Sequence, residues 1–220
     1  MRFTFLSFLM AIALWLPPGS HAAASVKQSS GYNANGGILV VSTGKDFSYS
    51  FGVAKGDPRQ SGAMGKQLWI GTSERMYQHV VVEISSIITK RPATDREVLE
   101  LHTQWEANHF NKVTNEKLRV RPSFHNIKGR TWCHWSYDVS VVFKKNPPPK
   151  STKGPAAATR QHFLTTVLND QVLVIACSTM KGQTDFGTKR LLTKAAKSFV
   201  LYPKALSKNE IEALCKQPLK

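Results

Sequence analysis

The sequence predicts an α+β fold, an antiparallel β-sheet with helices packed on it. Three observations carry this. From Thr131 to Phe143 apolar and polar residues alternate, the period of two that marks a strand with a buried face. Two segments, opening at Thr94 and at Thr184–Asp185, carry apolar residues at helical spacing. Strand-like stretches come in runs and do not alternate one by one with helices, which argues against parallel crossover units.

The elements follow in order. Residues 1–22 read as a secretory signal: Arg2 is the positive end, Phe3 to Leu16 the apolar core, and Pro17-Pro18-Gly19 the break. Ser20-His21-Ala22 is a small-x-small cleavage site, with Ala22-Ala23-Ala24 as an alternative. The other reading, a membrane anchor, needs roughly 18–20 apolar residues, and this run is shorter. The processed chain is therefore expected to be secreted or periplasmic, with no later transmembrane segment. Residues 23–37, rich in Ser, Gln, Gly and Asn, are expected to be a flexible leader, and 38–203 a single domain.

Within that domain Ile38–Val41, Phe47–Val53, Gln67–Gly71 and Gln78–Ile88 read as strands, and 54–65, with Gly56-Asp57-Pro58, as loop. The first helix opens on a capping box, Thr94 with Glu97, and runs through Val98, Leu101, Trp105 and His109 to about Asn111. Leu118–His125 is a further strand before Gly129. In the strand 131–143, Cys133, Trp135, Tyr137, Val139, Val141 and Phe143 share the apolar face; Trp132, His134, Ser136, Asp138 and Ser140 share the other.

A basic, Pro-rich loop over 144–160 comes next. Pro147, Pro148 and Pro149 cannot donate to a ladder, and five Lys or Arg with no acid keep the segment solvated. His162–Leu168 and Val172–Cys177 are strands, with Asn169-Asp170 either a tight turn between them or a bulge. The second helix starts at Thr184 or Asp185 and runs to about Val200, before Tyr202-Pro203. Residues 204–220 form a short helix and tail, opened by a second capping box, Ser207 with Glu210.

The segments VVVEISSI, the helix at 94–111, IKGRTWCHWSYDVS, QHFLTTVLNDQVLVIACS and FGTKRLLTKAAKSFVLY resemble the PsbP/DcrB-like superfamily over residues 78–202. The resemblance implies an α/β/α sandwich, and proteins that bind or support other proteins: photosystem accessory subunits, envelope lipoproteins, a nuclear transport factor. It carries over no site residue.

Charge is the next signal. The formal net charge is +16. Residues 117–160 hold ten Lys or Arg against Asp138 alone, and residues 181–220 hold nine against Asp185, Glu210 and Glu212. Residues 71–116 are mildly acidic. A surface built from Lys144, Lys145, Lys150, Lys153 and Arg160 in the loop, with Lys189, Arg190, Lys194 and Lys197 on the second helix, would attract an anionic partner. Outside the cytoplasm that partner is an envelope or secretion-machine protein, or an anionic lipid or lipopolysaccharide surface. Simple solubility is the bland account of the same charge. Nucleic acid is a further alternative, with Trp132, Trp135 and His134 as stacking groups, but no nucleic-acid module is recognisable.

Cys133, Cys177 and Cys215 make an odd count in an oxidising compartment, so one disulfide and one free thiol is the natural expectation. Pairing of the strands 131–143 and 161–177 around the basic loop would set Cys133 opposite about residue 171, too far from Cys177 for a bridge. Cys177–Cys215 is the favoured pair, and three buried unpaired thiols the alternative.

Catalytic motifs are missing. The chain has no G-x-S-x-G, P-loop or H-E-x-x-H, and the Gly-Lys pairs at 44–45 and 65–66 lack a strand-to-helix frame. His102 and His109 lie two helical turns apart, too far to share a metal, and His109 on the Trp105 face reads as a partly buried core residue. No cofactor is implied. The reading is a non-enzymatic binding or accessory protein; the alternative from another class is a small thiol-dependent hydrolase centred on Cys133 or another thiol.

Overall fold

A computed structural model describes residues 26–53, 60–64, 67–72, 75–90, 92–114, 117–139 and 158–219. In chain order these form β1 (Val26–Ala34), β2 (Gly37–Gly44), β3 (Ser48–Val53), β4 (Gln60–Met64), β5 (Gln67–Gly71) and β6 (Met76–Glu83). Helix α1 (Asp95–Thr114) precedes β7 (Ser123–Ile127), β8 (Arg130–Asp138), β9 (Ala158–Leu168) and β10 (Gln171–Met180). The chain closes with α2 (Asp185–Lys197), β11 (Val200–Tyr202) and α3 (Lys208–Lys216). The signal at 1–22 and Lys144, Lys145, Lys150 and Lys153 lie outside the described residues.

The strands divide into two sheets. One has the order β4-β5-β6-β10-β9-β8-β7, the other β1-β2-β3-β11. All pairings among the described strands are antiparallel, in keeping with the α+β class. The alternation read over 131–138 holds: Cys133, Trp135 and Tyr137 enter a core with Val98, Leu99 and Phe110 of α1 and Phe163 of β9. Trp135 and Phe163 are directly paired across the ladder, and their rings stack with centroids 4.0 Å apart. On the other side of the large sheet, Trp132, Leu164, Leu173, Ile175 and Cys177 meet Val40, Tyr49 and Phe51 of the small sheet and Leu192, Ala195 and Ala196 of α2. A third cluster lies beyond the small sheet, where Leu39 and Val41 pack against Ile211 of α3.

The start of the chain departs from expectation. Residues 26–34 are strand β1, paired with β2 from Val26↔Gly44 to Ala34↔Gly37, and not a flexible leader. The reason is the Asn35-Gly36 turn, with Gly36 at φ 97°, a strong two-residue hairpin signal. β1 anchors through buried Val26 and through Ser29, whose hydroxyl bonds that of Ser42 at 2.8 Å.

Other boundaries also shift. The stretch read as loop over 54–65 contains β4, in which Gly62 faces Trp69 so closely that a Cβ would stand 2.5 Å from the indole. The choice at Asn169-Asp170 resolves as a hairpin, since Leu168 pairs with Gln171 and Asn169 takes φ 55°. Arg160 belongs to strand β9, not to the basic loop. Helix α2 stops at Lys197, because the β-favouring Val200-Leu201-Tyr202 pair with β3. Both capping boxes form: Glu97 Oε2 accepts from the Thr94 amide at 3.0 Å, and Glu210 Oε2 from that of Ser207 at 2.8 Å.

Deleting residues 26–36 should lower the unfolding free energy by more than about 2 kcal/mol, from the loss of Val26 burial and a full strand pairing. A urea melt of truncated against intact chain measures this; a flexible leader would leave the midpoint unchanged.

Candidate functional site

The features of most chemical interest gather where the first turn of α2 meets β9 and β10. Thr184 caps the helix, its hydroxyl accepting from the Gly187 amide at 3.2 Å. Thr188, Leu192, Ala195 and Ala196 are the buried stripe. Asp185, in the first turn, receives a converging set of donors. Its Oδ1 lies 3.3 Å from His162 Nε2 and its Oδ2 3.4 Å from Arg160 Nη1. His162 Nδ1 is 3.3 Å from His134 Nε2. Since a carboxylate only accepts, His162 carries its proton on Nε2, and its Nδ1 accepts a hydrogen bond from the Nε2–H of His134. From the other side Arg75 Nη1 donates to Thr188 Oγ1 at 2.6 Å, Thr188 and Thr179 share a hydroxyl contact at 2.7 Å, and Thr179 reaches Asp185.

Electrostatics follow from this. Partial burial pushes the Asp185 carboxyl up, but His162 and Arg160 outweigh it and hold it below the usual carboxylate range. Burial, with His162 and Lys189 adding to it, holds His134 down to about 4, and burial lowers His162 despite Asp185. Both imidazoles are neutral near pH 7. The carboxylate–imidazole–imidazole chain fixes tautomers, and its two hydroxyls are already engaged in the network. It fastens the start of α2 to the large sheet.

The structure brings the expected surface residues together in part. Lys189, Arg190, Lys194 and Lys197 are all exposed on α2, while half-exposed Arg160 is drawn into the Asp185 pair. Trp132 and Trp135 are fully buried and offer no face to a nucleic-acid base.

All three cysteines are free, which corrects the Cys177–Cys215 disulfide. Cys177 lies in the core between the two sheets, whereas Cys215 packs in the cluster outside the small sheet. Cys133 faces Thr103 of α1 and pairs with Thr165, not with a residue near 171. Burial pushes every thiol upward, Cys177 to about 12, opposite to the lowered value a nucleophilic thiol requires. Cys133 and His134 point to opposite faces, so a Cys133-centred hydrolase loses its nearest base.

Two further histidines are buried. His79 sits between the sheets, its Nδ1 donating to Val174 O at 3.0 Å and its Nε2 accepting from Tyr49 at 2.9 Å and Ser42 at 3.1 Å. Burial holds it down to about 4. His102, on the buried side of α1, lies 3.7 Å from Glu106 one turn on, whose carboxyl burial pushes up to about 7. His109 is half-buried and stacks on Trp105. Among the described residues no group of three His, Cys, Asp or Glu is placed to hold a metal.

The chain is similar to the solution structure of cyanobacterial PsbP (CyanoP) from Synechocystis sp. PCC 6803, with 12% identity and a TM-score of 0.41. The match covers 84% of this chain and 99% of that one. No family model and no curated protein matches the chain.

In denaturant without reductant, three thiols should react with a disulfide reagent; in the native protein Cys215 should react first and Cys133 and Cys177 stay protected. A count of one reactive thiol in denaturant would restore the disulfide. The pH dependence is equally definite. His79 is neutral in the fold to about pH 4 but protonates near 6.5 when unfolded, so the stability it contributes is present above 6.5 and lost as pH falls toward 4. His79→Gln should reduce the slope of unfolding free energy against pH in that window by up to one proton, about 1.4 kcal/mol per pH unit. Chemical denaturation from pH 7 to 4.5 reads it.

Proposed function

We propose that the chain is an exported, non-enzymatic binding or accessory protein that meets an anionic partner through the basic face of α2. The supporting observation is a contrast between helices. On α3 and its approach, Lys204 pairs with Glu210 and Lys208 lies 3.9 Å from Glu212. On α2, Lys189, Arg190, Lys194 and Lys197 form no ion pair among the described residues, and the helix's own acid, Asp185, is engaged by His162 and Arg160. Four cations are thus held on one face, free to act together on an anion; each is worth about 1 kcal/mol beside an anionic surface.

Export rests on the signal-like residues 1–22, and Lys144, Lys145, Lys150 and Lys153 extend the basic surface in this reading. Among the described residues no helix is long and apolar enough to cross a membrane. The partner belongs to the cell envelope or a secretion assembly, or is an anionic lipid or lipopolysaccharide surface.

The variant Arg190→Glu/Lys194→Glu/Lys197→Glu leaves the buried stripe untouched and should fold. In crosslinking and recovery from the native envelope it should lose its partner by about tenfold or more at physiological salt. Recovery equal to that of the unaltered chain would overturn the assignment of this face.

A further inference from the structure

Phe186 is the anomaly on this face. It is 75% exposed, the most exposed of the large apolar residues described. Its place on the helix explains why the core cannot use it. Ala195, in the middle of the buried stripe, lies nine residues on, half a turn around the helix from Phe186. Arg190 and Lys197, four and eleven residues after Phe186, continue the same outward line, with Lys189 and Lys194 on its flanks. The result is a straight stripe about 16 Å long that begins with an aromatic ring and continues through Arg190 and Lys197, with the hydroxyl of Thr193 between them turned back to Lys189 O. The Asp185 network beneath Phe186 holds that end of the stripe against the sheet, so the ring is presented by a fixed helix.

We infer that α2 docks on an anionic lipid bilayer, with Phe186 entering the headgroup region and Lys189, Arg190, Lys194 and Lys197 on lipid phosphates; this rests on the anionic-partner reading above and names the partner. Charge complementarity selects the surface, since every charged residue of the helix from Phe186 to Lys197 is Lys or Arg. The lone ring selects lipid over an acidic protein. A protein partner would need a pocket matched to Phe186 within an acidic patch, whereas a headgroup layer accepts a ring at any position along it while long basic side chains extend to the phosphates.

The test uses the processed chain recovered from the periplasm or medium, with vesicles of phosphatidylcholine alone or with phosphatidylglycerol at about 30 mol%. Co-sedimentation should occur with the anionic vesicles only. Phe186→Ala should weaken it by about tenfold, Phe186→Trp should restore it, and binding to heparin should be the same for all three. Thermal melts confirm folding, which this exposed position leaves unaffected. Equal vesicle binding by Phe186→Ala and the unaltered chain would overturn the inference, since charge alone would then account for it. If no vesicle binding occurs while the triple Glu variant still loses an envelope partner, the lipid assignment falls and the anionic-partner reading stands. If the triple variant also keeps its partner, both fall.

Discussion

The structure depends on burying both faces of the hairpin β9–β10. From Gln161 to Leu168 and from Gln171 to Thr179 every residue is buried. An antiparallel sheet commonly keeps one face in water; this one cannot, because apolar residues occupy both sides of the hairpin. Phe163, Val167, Val172 and Val174 demand a cover on one side, and α1 supplies it. Leu164, Leu168, Leu173 and Ile175 demand one on the other, which the small sheet and α2 supply together. The layered architecture is the solution to that double demand.

Polar residues inside the hairpin then have to be satisfied locally. Thr166 donates to Thr131 O at 2.7 Å, Ser178 to Gln161 at 2.5 Å, and Gln171 to Glu83 at 2.8 Å. His162 and Thr179, which bond each other at 3.1 Å, also reach outside the sheet to Asp185 and Thr188 of α2. The helix is therefore attached by two different forces. Leu192 and the paired alanines give it apolar contact, and the network at its first turn fixes its rotation. That rotation determines which side chains look outward, so a buried imidazole governs the charge of the surface above it.

Much of this was legible in the residues. The period of two around Trp135, the capping boxes at Thr94 and Ser207, and the helical stripe of α2 each express a local rule strong enough to survive folding. What escaped was non-local. Residues 26–34 are too polar to read as a strand alone; β1 exists because β2 offers it a ladder, and Asn35-Gly36 was the one local sign. β4 is hidden likewise, its Gly62 serving Trp69 across the pair. The network at Asp185 joins residues from β5–β6, β8, β9, β10 and α2, and no spacing in the sequence could bring Arg75, His134 and Thr188 together. The disulfide expectation failed because counting thiols says nothing about which side of a sheet each one occupies.

The turn at Asn35 is tied by its amide to Cys215 O at 3.1 Å and by its carbonyl to the Leu219 amide at 3.1 Å. The small sheet is also closed by β11, whose Val200 pairs with Ser50. β1 and β3 are thus completed by segments far along the chain. Joining segments so distant in sequence carries a large loop-closure entropy, which falls on the step that docks β11 and α3. Until then β3 has a bare edge and the outer apolar surface of β2 stays open. The interval before that docking is when the small sheet is most exposed to misassociation, and its length is set by how soon β11 and α3 arrive.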